Sequence, residues 1–187
     1  SLTADELRYF TDIEEGISHG SASGLDAATV SSNDPIWFVK NEEMTPFSML
    51  LTGTLVIADT GIHGQTMHAN SIVKNQLETD YNRTWNKIEH LGHIAEKVRT
   101  DLSQNNPKHA GMLFTAAHHE LQSLGVSHPK LDNLVNAAMH AGALGAKLTG
   151  AGIGGAMFAL AQNNNDAVTI ANALTKSGAQ NTWIQPL

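Results

Sequence analysis

The sequence predicts an α+β fold in which helices cover an antiparallel sheet. One observation is a long helical region, residues 65–144, in which apolar side chains recur every three or four positions in three runs divided by Asn105-Asn106-Pro107 and Ser127-His128-Pro129. The other is the change after residue 144, where short apolar runs flank a glycine-rich loop before a further helix and strand. The apolar positions of the three helices are Trp85, Ile88, Leu91, Ala95, Val98, Leu102, Met112, Leu113, Ala116, Leu121, Leu131, Leu134, Val135 and Ala138.

The first third of the chain contributes two short helices and two strands. Helical spacing and capping residues predict a helix over residues 3–15 and a second one over residues 23–30. The aromatic and β-branched run IWFVK, residues 36–40, predicts a strand. Pro46 marks a boundary, and the run after it predicts a strand that ends at Asp59 in a turn signature.

The last third predicts two strands, a helix and a third strand. The runs AKLT at 146–149 and AMFALA at 156–161 read as strands on either side of the loop TGAGIGG. A helix follows at about 165–177, closed by Gly178, and QNTWI at 180–184 is the final strand.

Composition excludes several classes of partner. The 187 residues include only 11 Lys and Arg and carry a net charge of −7, which argues against a nucleic-acid or anionic-membrane surface. The absence of cysteine excludes disulfides and thiolate metal sites and favours the cytoplasm. No apolar run is long enough for a membrane span. The first residue is Ser rather than Met, so we expect the chain to be part of a longer protein.

The glycine-rich loop formally satisfies the pattern G-x-G-x-x-G but lacks the context of a dinucleotide site. An apolar strand-like run follows it, and no acidic residue lies about 20 positions further on. Two interpretations stay open: backbone N–H groups that line a concavity for an anionic oxygen, or a hairpin that packs closely on a neighbour. Lys147, just before the loop, is either a cation for that anion or an ordinary strand lysine.

Two carboxylates in the stretch EEGISHGSASGLDAATVSS are candidates for chemistry. Asp26 can orient a hydroxyl or accept its proton, and Glu15 offers the hard oxygen that Mg²⁺ prefers. Alternatively, Asp26 is an ordinary first-turn helix residue favoured by the helix dipole, and Glu15 is a solvated surface residue. The ten histidines give no metal motif, since Ser123 stands where HHELQSL would need its second ligand; surface or capping roles are expected.

Taken together, HGSASGLDAATVSS and KLTGAGIGGAMFAL resemble the second and third signature motifs of the GHMP kinases, most closely those of the mevalonate kinases and particularly the bacterial ones. The runs VIADTGIHGQT and NTWIQPL extend the resemblance to the whole chain, although Ala22 replaces a usual proline. The residues that match a Glu followed by H-G-x-P-S-G-x-D are Glu15, His19, Gly20, Ser23, Gly24 and Asp26.

The resemblance implies a domain assignment. Residues 46–187 would be the GHMP kinase carboxy-terminal domain, ferredoxin-like with added helices. Residues 1–45 would be an incomplete remainder of the amino-terminal catalytic domain, which is ribosomal protein S5 domain 2-like. Because the family's first, phosphate-cradling motif is missing, we expect the isolated chain to have little or no kinase activity. The strand at 36–40 should then be unpaired, and should pair with another copy in a homodimer or pack on the carboxy-terminal domain.

The resemblance also implies a function: ATP-dependent, Mg²⁺-assisted phosphorylation of mevalonate to 5-phosphomevalonate in isoprenoid precursor synthesis. Asp26 would be the catalytic acidic residue near the hydroxyl, and Glu15 the Mg²⁺ ligand. Substrate and phosphate contacts would come from His19, Ser23, Gly24, Thr60, Gly150, Ala151, Gly152 and Gly154. Alternatives are phosphomevalonate kinase, diphosphomevalonate decarboxylase, or a non-catalytic binding or dimerisation module. The scarcity of Lys and Arg near the motifs favours an unphosphorylated substrate.

Overall fold

The chain divides into two units, an amino-terminal unit, Ser1–Leu50, and a carboxy-terminal unit, Leu51–Leu187. The computed structural model describes Thr29, Ser32, residues 34–39 and residues 42–187. The helices predicted over 3–15 and 23–30 therefore lie outside the described residues, except for Thr29, whose backbone is helical. The same holds for five predicted site residues, Glu15, His19, Ser23, Gly24 and Asp26.

The described part of the amino-terminal unit contains a small antiparallel ribbon. Strand β1, Ile36–Trp37, pairs with strand β2, Thr45–Pro46. The Phe47 N–H closes it by donating to the Pro35 carbonyl at 3.0 Å. The expectation of an unpaired strand is therefore wrong for Ile36 and Trp37, because Thr45–Pro46 supplies a partner for their backbone groups. Residue 40 of the predicted strand lies outside the described residues.

The carboxy-terminal unit holds four strands and five helices among the described residues. In chain order these are β3 Thr54–Asp59, α1 Thr66–Thr79, α2 Tyr81–Gln104, α3 Pro107–Ser123, α4 Pro129–His140, β4 Gly145–Thr149, β5 Ala156–Ala161, α5 Asn164–Lys176 and β6 Asn181–Pro186. The α+β class is confirmed, as are the strand before the ADTG turn and the strand, loop, strand, helix, strand order after residue 144.

The four strands form one antiparallel sheet in the order β4-β5-β3-β6. The chain order, one strand, helices, a hairpin, a helix and a last strand, is that of a ferredoxin-like domain in which four helices occupy the first crossover. Strand β3 is central, so that Ile57 lies between Phe158 and Trp183. Strands β4 and β6 are the two edges.

One face of the sheet forms the core with helices α4 and α5. Along β3, Val56 and Ala58 are fully buried while Leu55 and Ile57 are only half-buried, the alternation expected of a strand with one face on the core. The predicted apolar face of α4 is confirmed, because Leu131, Leu134, Val135 and Ala138 all belong to this core. A polar side chain caps the start of α5, where Asn163 accepts from the Asp166 N–H.

The helical region contains four helices rather than the predicted three, because the first run breaks at Asp80. The Asp80 backbone is not helical, with φ −146° and ψ 75°, and its side chain caps α2 by accepting from the Arg83 N–H at 3.3 Å. The apolar faces also differ from the prediction. Trp85 is 46% exposed and stacks on Tyr81, and Met112 is 67% exposed.

Helix α3 buries a face of small residues together with one phenylalanine and one histidine. Its buried residues are Ala110, Gly111, Phe114, Ala117 and His118. The backbones of α3 and β4 come so close that a Cβ on Gly111 or Gly145 would overlap the opposite backbone. This approach at Gly111, rather than apolar periodicity, selects the buried face of the helix. No helix among the described residues is both long and apolar enough to cross a membrane.

Candidate functional site

The loop between β4 and β5, residues 150–155, has an unusual backbone. Five of its six residues have positive φ: Gly150 at 74°, Gly152 at 89°, Ile153 at 55°, Gly154 at 122° and Gly155 at 74°. Ile153 is β-branched, and such a residue rarely adopts the left-handed conformation, at a cost of about 1–3 kcal/mol. The surroundings must therefore hold this loop in place.

Two N–H groups of the loop are used to hold it. Ile153 donates to the Val126 carbonyl at 2.9 Å, and Gly155 donates to the Ile62 carbonyl at 2.6 Å. The hydrogen bonds recorded for the described residues include none from the N–H groups of Gly152 or Gly154. Successive backbone N–H groups in a turn can line a concavity that suits an anionic oxygen.

The loop also packs tightly on its neighbours, which the second interpretation of the sequence anticipated. A Cβ on Gly152 would overlap the Val126 carbonyl oxygen. On Gly154 it would lie 2.8 Å from the Ile62 oxygen and 3.0 Å from the His63 oxygen. Only glycine fits at these two positions, whether or not a ligand binds.

Thr60 fastens the ADTG turn to the glycine loop. The residue is fully buried, and its hydroxyl donates to the Gly155 carbonyl at 2.6 Å while its N–H donates to the same oxygen at 3.0 Å. The hydroxyl oxygen accepts from the Ile62 N–H at 3.2 Å. These bonds give Thr60 a positioning role; its predicted contact with a substrate pocket stays a prediction.

Lys147, next to the loop, is engaged with its own strand. Its ammonium donates to the Leu148 carbonyl at 2.7 Å and lies 5.4 Å from the centroid of the Phe158 ring. Burial lowers the pKa of Lys147 to about 8. The ammonium is thus held against β4 and Phe158, which favours the strand-lysine interpretation over an anion ligand.

His118 was not identified from the sequence, which had assigned the histidines to surface or capping roles. Its side chain is only 1% exposed, and its Nδ1 accepts from the Leu148 N–H at 3.4 Å. Nε2 lies 3.3 Å from Asp132 Oδ1, but it is a buried nitrogen without an aligned hydrogen bond. Burial lowers the pKa of His118; Asp132 opposes this, whereas His119 and Lys147 add to it.

Other histidines follow the prediction. His128 caps α4 by accepting from the Lys130 N–H at 3.1 Å, and exposed His90 lies 3.0 Å from Glu120. Within the described ranges, no group of three or more His, Asp or Glu side chains is placed to hold a metal ion. The structure thus brings Thr60 to the glycine loop, whereas Lys147 is held against its own strand and Phe158. Glu15 and Asp26 belong to the part of the chain that is not described.

Comparison with known sequences gives a consistent family. Residues 96–180 match the family described as "GHMP kinases C terminal". The chain is 34% identical over 176 residues to a mevalonate kinase of Pyrococcus furiosus, which is 91% of this chain and 52% of that protein. It is likewise 34% identical over 183 residues to a mevalonate kinase of Thermococcus gammatolerans, 95% of this chain and 53% of that protein. The chain thus spans about half the length of the curated relatives it matches.

Solved structures agree with the sequence relatives. L. major mevalonate kinase in complex with R-mevalonate superposes with a TM-score of 0.89 at 27% identity, over 100% of this chain and 60% of that one. Mevalonate kinase from Staphylococcus aureus MRSA252 gives a TM-score of 0.72 at 31% identity, over 100% and 59%. Residues 96–180 therefore match the GHMP kinase carboxy-terminal domain family, and the ferredoxin-like topology around the glycine loop agrees with that match.

Proposed function

We propose that the full-length protein phosphorylates the primary hydroxyl of mevalonate with ATP, giving 5-phosphomevalonate and ADP. One observation carries the proposal: a glycine loop with five left-handed residues, in a chain 34% identical to a mevalonate kinase over 91% of its length. Such a loop offers backbone N–H groups to an anion without a cluster of basic side chains, and the chain has few of those.

The reaction needs positioning and charge stabilisation more than covalent chemistry by the protein. The hydroxyl oxygen of mevalonate forms a bond to the γ-phosphorus of ATP, and the bond from that phosphorus to the β,γ-bridging oxygen breaks. ADP leaves with the bond's electron pair, and the hydroxyl proton passes to a carboxylate or to solvent. A carboxylate that orients the hydroxyl and accepts this proton is the principal side chain that the step requires.

We assign that role to Asp26, from its place in the HGSASGLD stretch. Glu15 is the proposed Mg²⁺ ligand, since Mg²⁺ binds one or two carboxylates together with substrate phosphates. When bound, Mg²⁺ would neutralise phosphate charge. His19, Ser23 and Gly24 are proposed to contact the substrates around Asp26.

The glycine loop is proposed to shape the pocket for phosphate and substrate. Gly152 and Gly154 contribute their N–H groups, and the loop begins with exposed Gly150 and half-buried Ala151. Thr60, bonded to Gly155, keeps the ADTG turn against the loop. A mevalonate contact by Thr60 is part of this proposal.

The wider expectations remain proposals as well. Residues 1–45 are proposed to be the remainder of the amino-terminal catalytic domain and residues 46–187 the carboxy-terminal domain. The substrates are small molecules, the enzyme acts in the cytoplasm, and it forms a homodimer. The isolated chain of 187 residues is inactive because the triphosphate cradle lies in sequence it lacks. That the chain resembles the bacterial mevalonate kinases in particular also stays a prediction.

A coupled ADP-release assay on the full-length protein tests the function. Mevalonate should stimulate ADP release, and Asp26→Asn should lower kcat at least about a hundredfold while preserving the fold. Asp34→Asn, a matched change at an exposed aspartate, should leave kcat unchanged. ADP release that depends on 5-phosphomevalonate instead, or an Asp26→Asn protein with full activity, would contradict the proposal.

A further inference from the structure

The glycine loop follows an edge strand whose outer N–H groups have no strand to pair with. Strand β4 pairs only with β5, so alternate N–H groups point away from the sheet. Side chains of α3 take their place: Thr115 Oγ1 accepts from the Ala146 N–H at 3.3 Å, and His118 Nδ1 accepts from the Leu148 N–H at 3.4 Å. Helix α3 thus acts as the missing neighbouring strand up to two residues before the loop.

His118 can do this only as a neutral ring. A nitrogen that accepts an N–H carries no proton, so the ring proton must be on Nε2, which faces Asp132 Oδ1 at 3.3 Å. The charged groups facing the ring are Asp132 on α4, His119 on α3 and Lys147 on β4. Burial outweighs the attraction of Asp132 and lowers the pKa of His118, which keeps the acceptor available at neutral pH.

Asp132 connects His118 to the other side of the glycine loop. The Ser127 hydroxyl donates a short hydrogen bond to Asp132 Oδ1, the same oxygen that faces His118. Ser127 follows Val126, whose carbonyl accepts the Ile153 N–H at 2.9 Å and packs against Gly152. The chain of contacts therefore reaches the loop twice, before it at Leu148 and in its middle at Ile153.

We propose that His118, Asp132 and Ser127 are positioning residues that hold the glycine loop in its left-handed conformation. The loop needs such support because Ile153 adopts a φ of 55°, which its side chain disfavours. The Val126 carbonyl holds the middle of the loop, and the end of β4 holds its start. His118, Asp132 and Ser127 fix the distance between these two attachments. Protonation of His118 would remove the acceptor for the Leu148 N–H and loosen this arrangement.

The role of the three residues in substrate affinity rests on the proposed kinase function, whereas their role in loop conformation does not. The primary measurement is therefore amide hydrogen exchange at Ile153 in the full-length protein without substrate. We expect His118→Leu to speed this exchange at least about tenfold, because the two restraints lose their connection. His118→Asn, whose Oδ1 can replace Nδ1 as the acceptor for Leu148, should recover most of the protection.

A pH series separates positioning from simple core packing. Corrected for intrinsic exchange, protection at Ile153 should fall in the natural protein as the pH drops below the ordinary pKa of histidine, and should stay constant in His118→Asn. Nitrogen-15 spectra of the imidazole should show Nε2 protonated and Nδ1 bare at neutral pH. A doubly protonated ring at that pH would overturn the proposal, as would unchanged exchange at Ile153 in His118→Leu.

If His118→Leu does not fold, Ser127 provides the test from the other end. Ser127→Ala removes the donor to Asp132, and Ser127→Thr retains it. Faster exchange at Ile153 in the alanine variant but not in the threonine variant supports the proposal, and equal exchange in both overturns it. In the kinase assay, Ser127→Ala should raise KM for ATP about fivefold with little change in kcat. Lack of any kinase activity in the natural protein would refute the proposed function. The exchange result alone would then decide the positioning role of the three residues.

Discussion

Two histidines of helix α3 each pair with an aspartate of another helix, and in one pair the aspartate is buried whereas in the other the histidine is. Near its start, His109 Nδ1 lies 2.6 Å from Asp101 Oδ2; the histidine side chain is 56% exposed and the aspartate 7%. Further along, His118 lies 3.3 Å from Asp132, with the histidine 1% and the aspartate 30% exposed. The same two residue types therefore occupy opposite environments about two helical turns apart.

The difference shows what each pair can do. Buried Asp101 also accepts from the Asn106 amide at 3.3 Å, so it ties the end of α2 to the start of α3. In the other pair the imidazole is buried, and it serves as a neutral acceptor for strand β4 rather than as a cation. Burial of the carboxylate fixes a turn between helices, whereas burial of the imidazole connects a helix to the glycine loop.

The largest expected effect comes from Gly111, between the two histidines on α3. Gly111→Val should destabilise the protein by about 3 kcal/mol or more, because its side chain would push α3 away from β4 and separate His118 from Leu148. Gly92→Ala is the matched control, since a Cβ there meets nothing within 4 Å, and should stabilise α2 by up to about 1 kcal/mol. Urea unfolding measures both. If Gly111→Val changed the free energy of unfolding as little as Gly92→Ala does, α3 and β4 would not be in close contact.

The next largest effect is the loss of stability when either aspartate is replaced by alanine, and it should be larger for Asp101 than for Asp132. Asp101→Ala should cost about 2–3 kcal/mol, because it removes the buried charged acceptor that the Asn106 amide and the His109 imidazole share. Asp132→Ala should cost about 1 kcal/mol, since Asp132 is partly exposed and water can replace it. Chemical unfolding of the two variants tests the order, and a larger loss from Asp132→Ala would reverse the comparison.

A smaller effect should appear on acidification. The pKa of His118 is lowered in the folded state, so the unfolded chain binds more protons as pH falls below about 6.5. The stability that neutral His118 provides is complete above that pH and is lost below it, by at most about 1.4 kcal/mol per pH unit. Unfolding at about pH 7.5 and about pH 5.5 should show a smaller pH dependence in His118→Asn than in the natural protein. His93 is exposed and serves as the control. If His93→Asn reduced the pH dependence of stability as much as His118→Asn does, the effect would not belong to His118.

The smallest effect is expected for Ile153→Gly. Glycine removes the left-handed strain, a gain of about 1 kcal/mol, but loses apolar contact with the cluster around Leu124 and Val126. The net change in the free energy of unfolding should be within about 1 kcal/mol of zero. A loss of several kcal/mol would show that the side chain, rather than the Ile153 N–H bond, holds the loop.

Sequence periodicity predicted the carboxy-terminal unit well where one rule dominated. The apolar spacing of α4 specifies a single buried face, and the apolar run AMFALA specifies strand β5; both are confirmed. The order of strands around TGAGIGG likewise led to the correct fold class. The break at Asp80 was missed because apolar spacing continues across it, although an Asp three residues before Arg83 is a capping signal.

The candidate site was less accessible to sequence reasoning. The buried face of α3 depends on close backbone approach at Gly111 and Gly145, which are far apart in the chain, and apolar counting instead chose exposed Met112. His118 therefore passed as a surface histidine. Its spacing from Gly111 and Phe114, seven and four residues, was the available signal, because all three lie on one helical face.

Amide spectroscopy of the glycine loop tests the central claim, that its free N–H groups receive substrate anions. In the full-length protein with mevalonate and a non-hydrolysable ATP analogue with Mg²⁺, the amide resonances of Gly152 and Gly154 should shift and their hydrogen exchange should slow. The amide of Ile153, already bonded to Val126, should change far less. If Gly152 and Gly154 are unaffected by saturating ligands that the protein demonstrably binds, the loop is only a close-packed hairpin and the account is wrong.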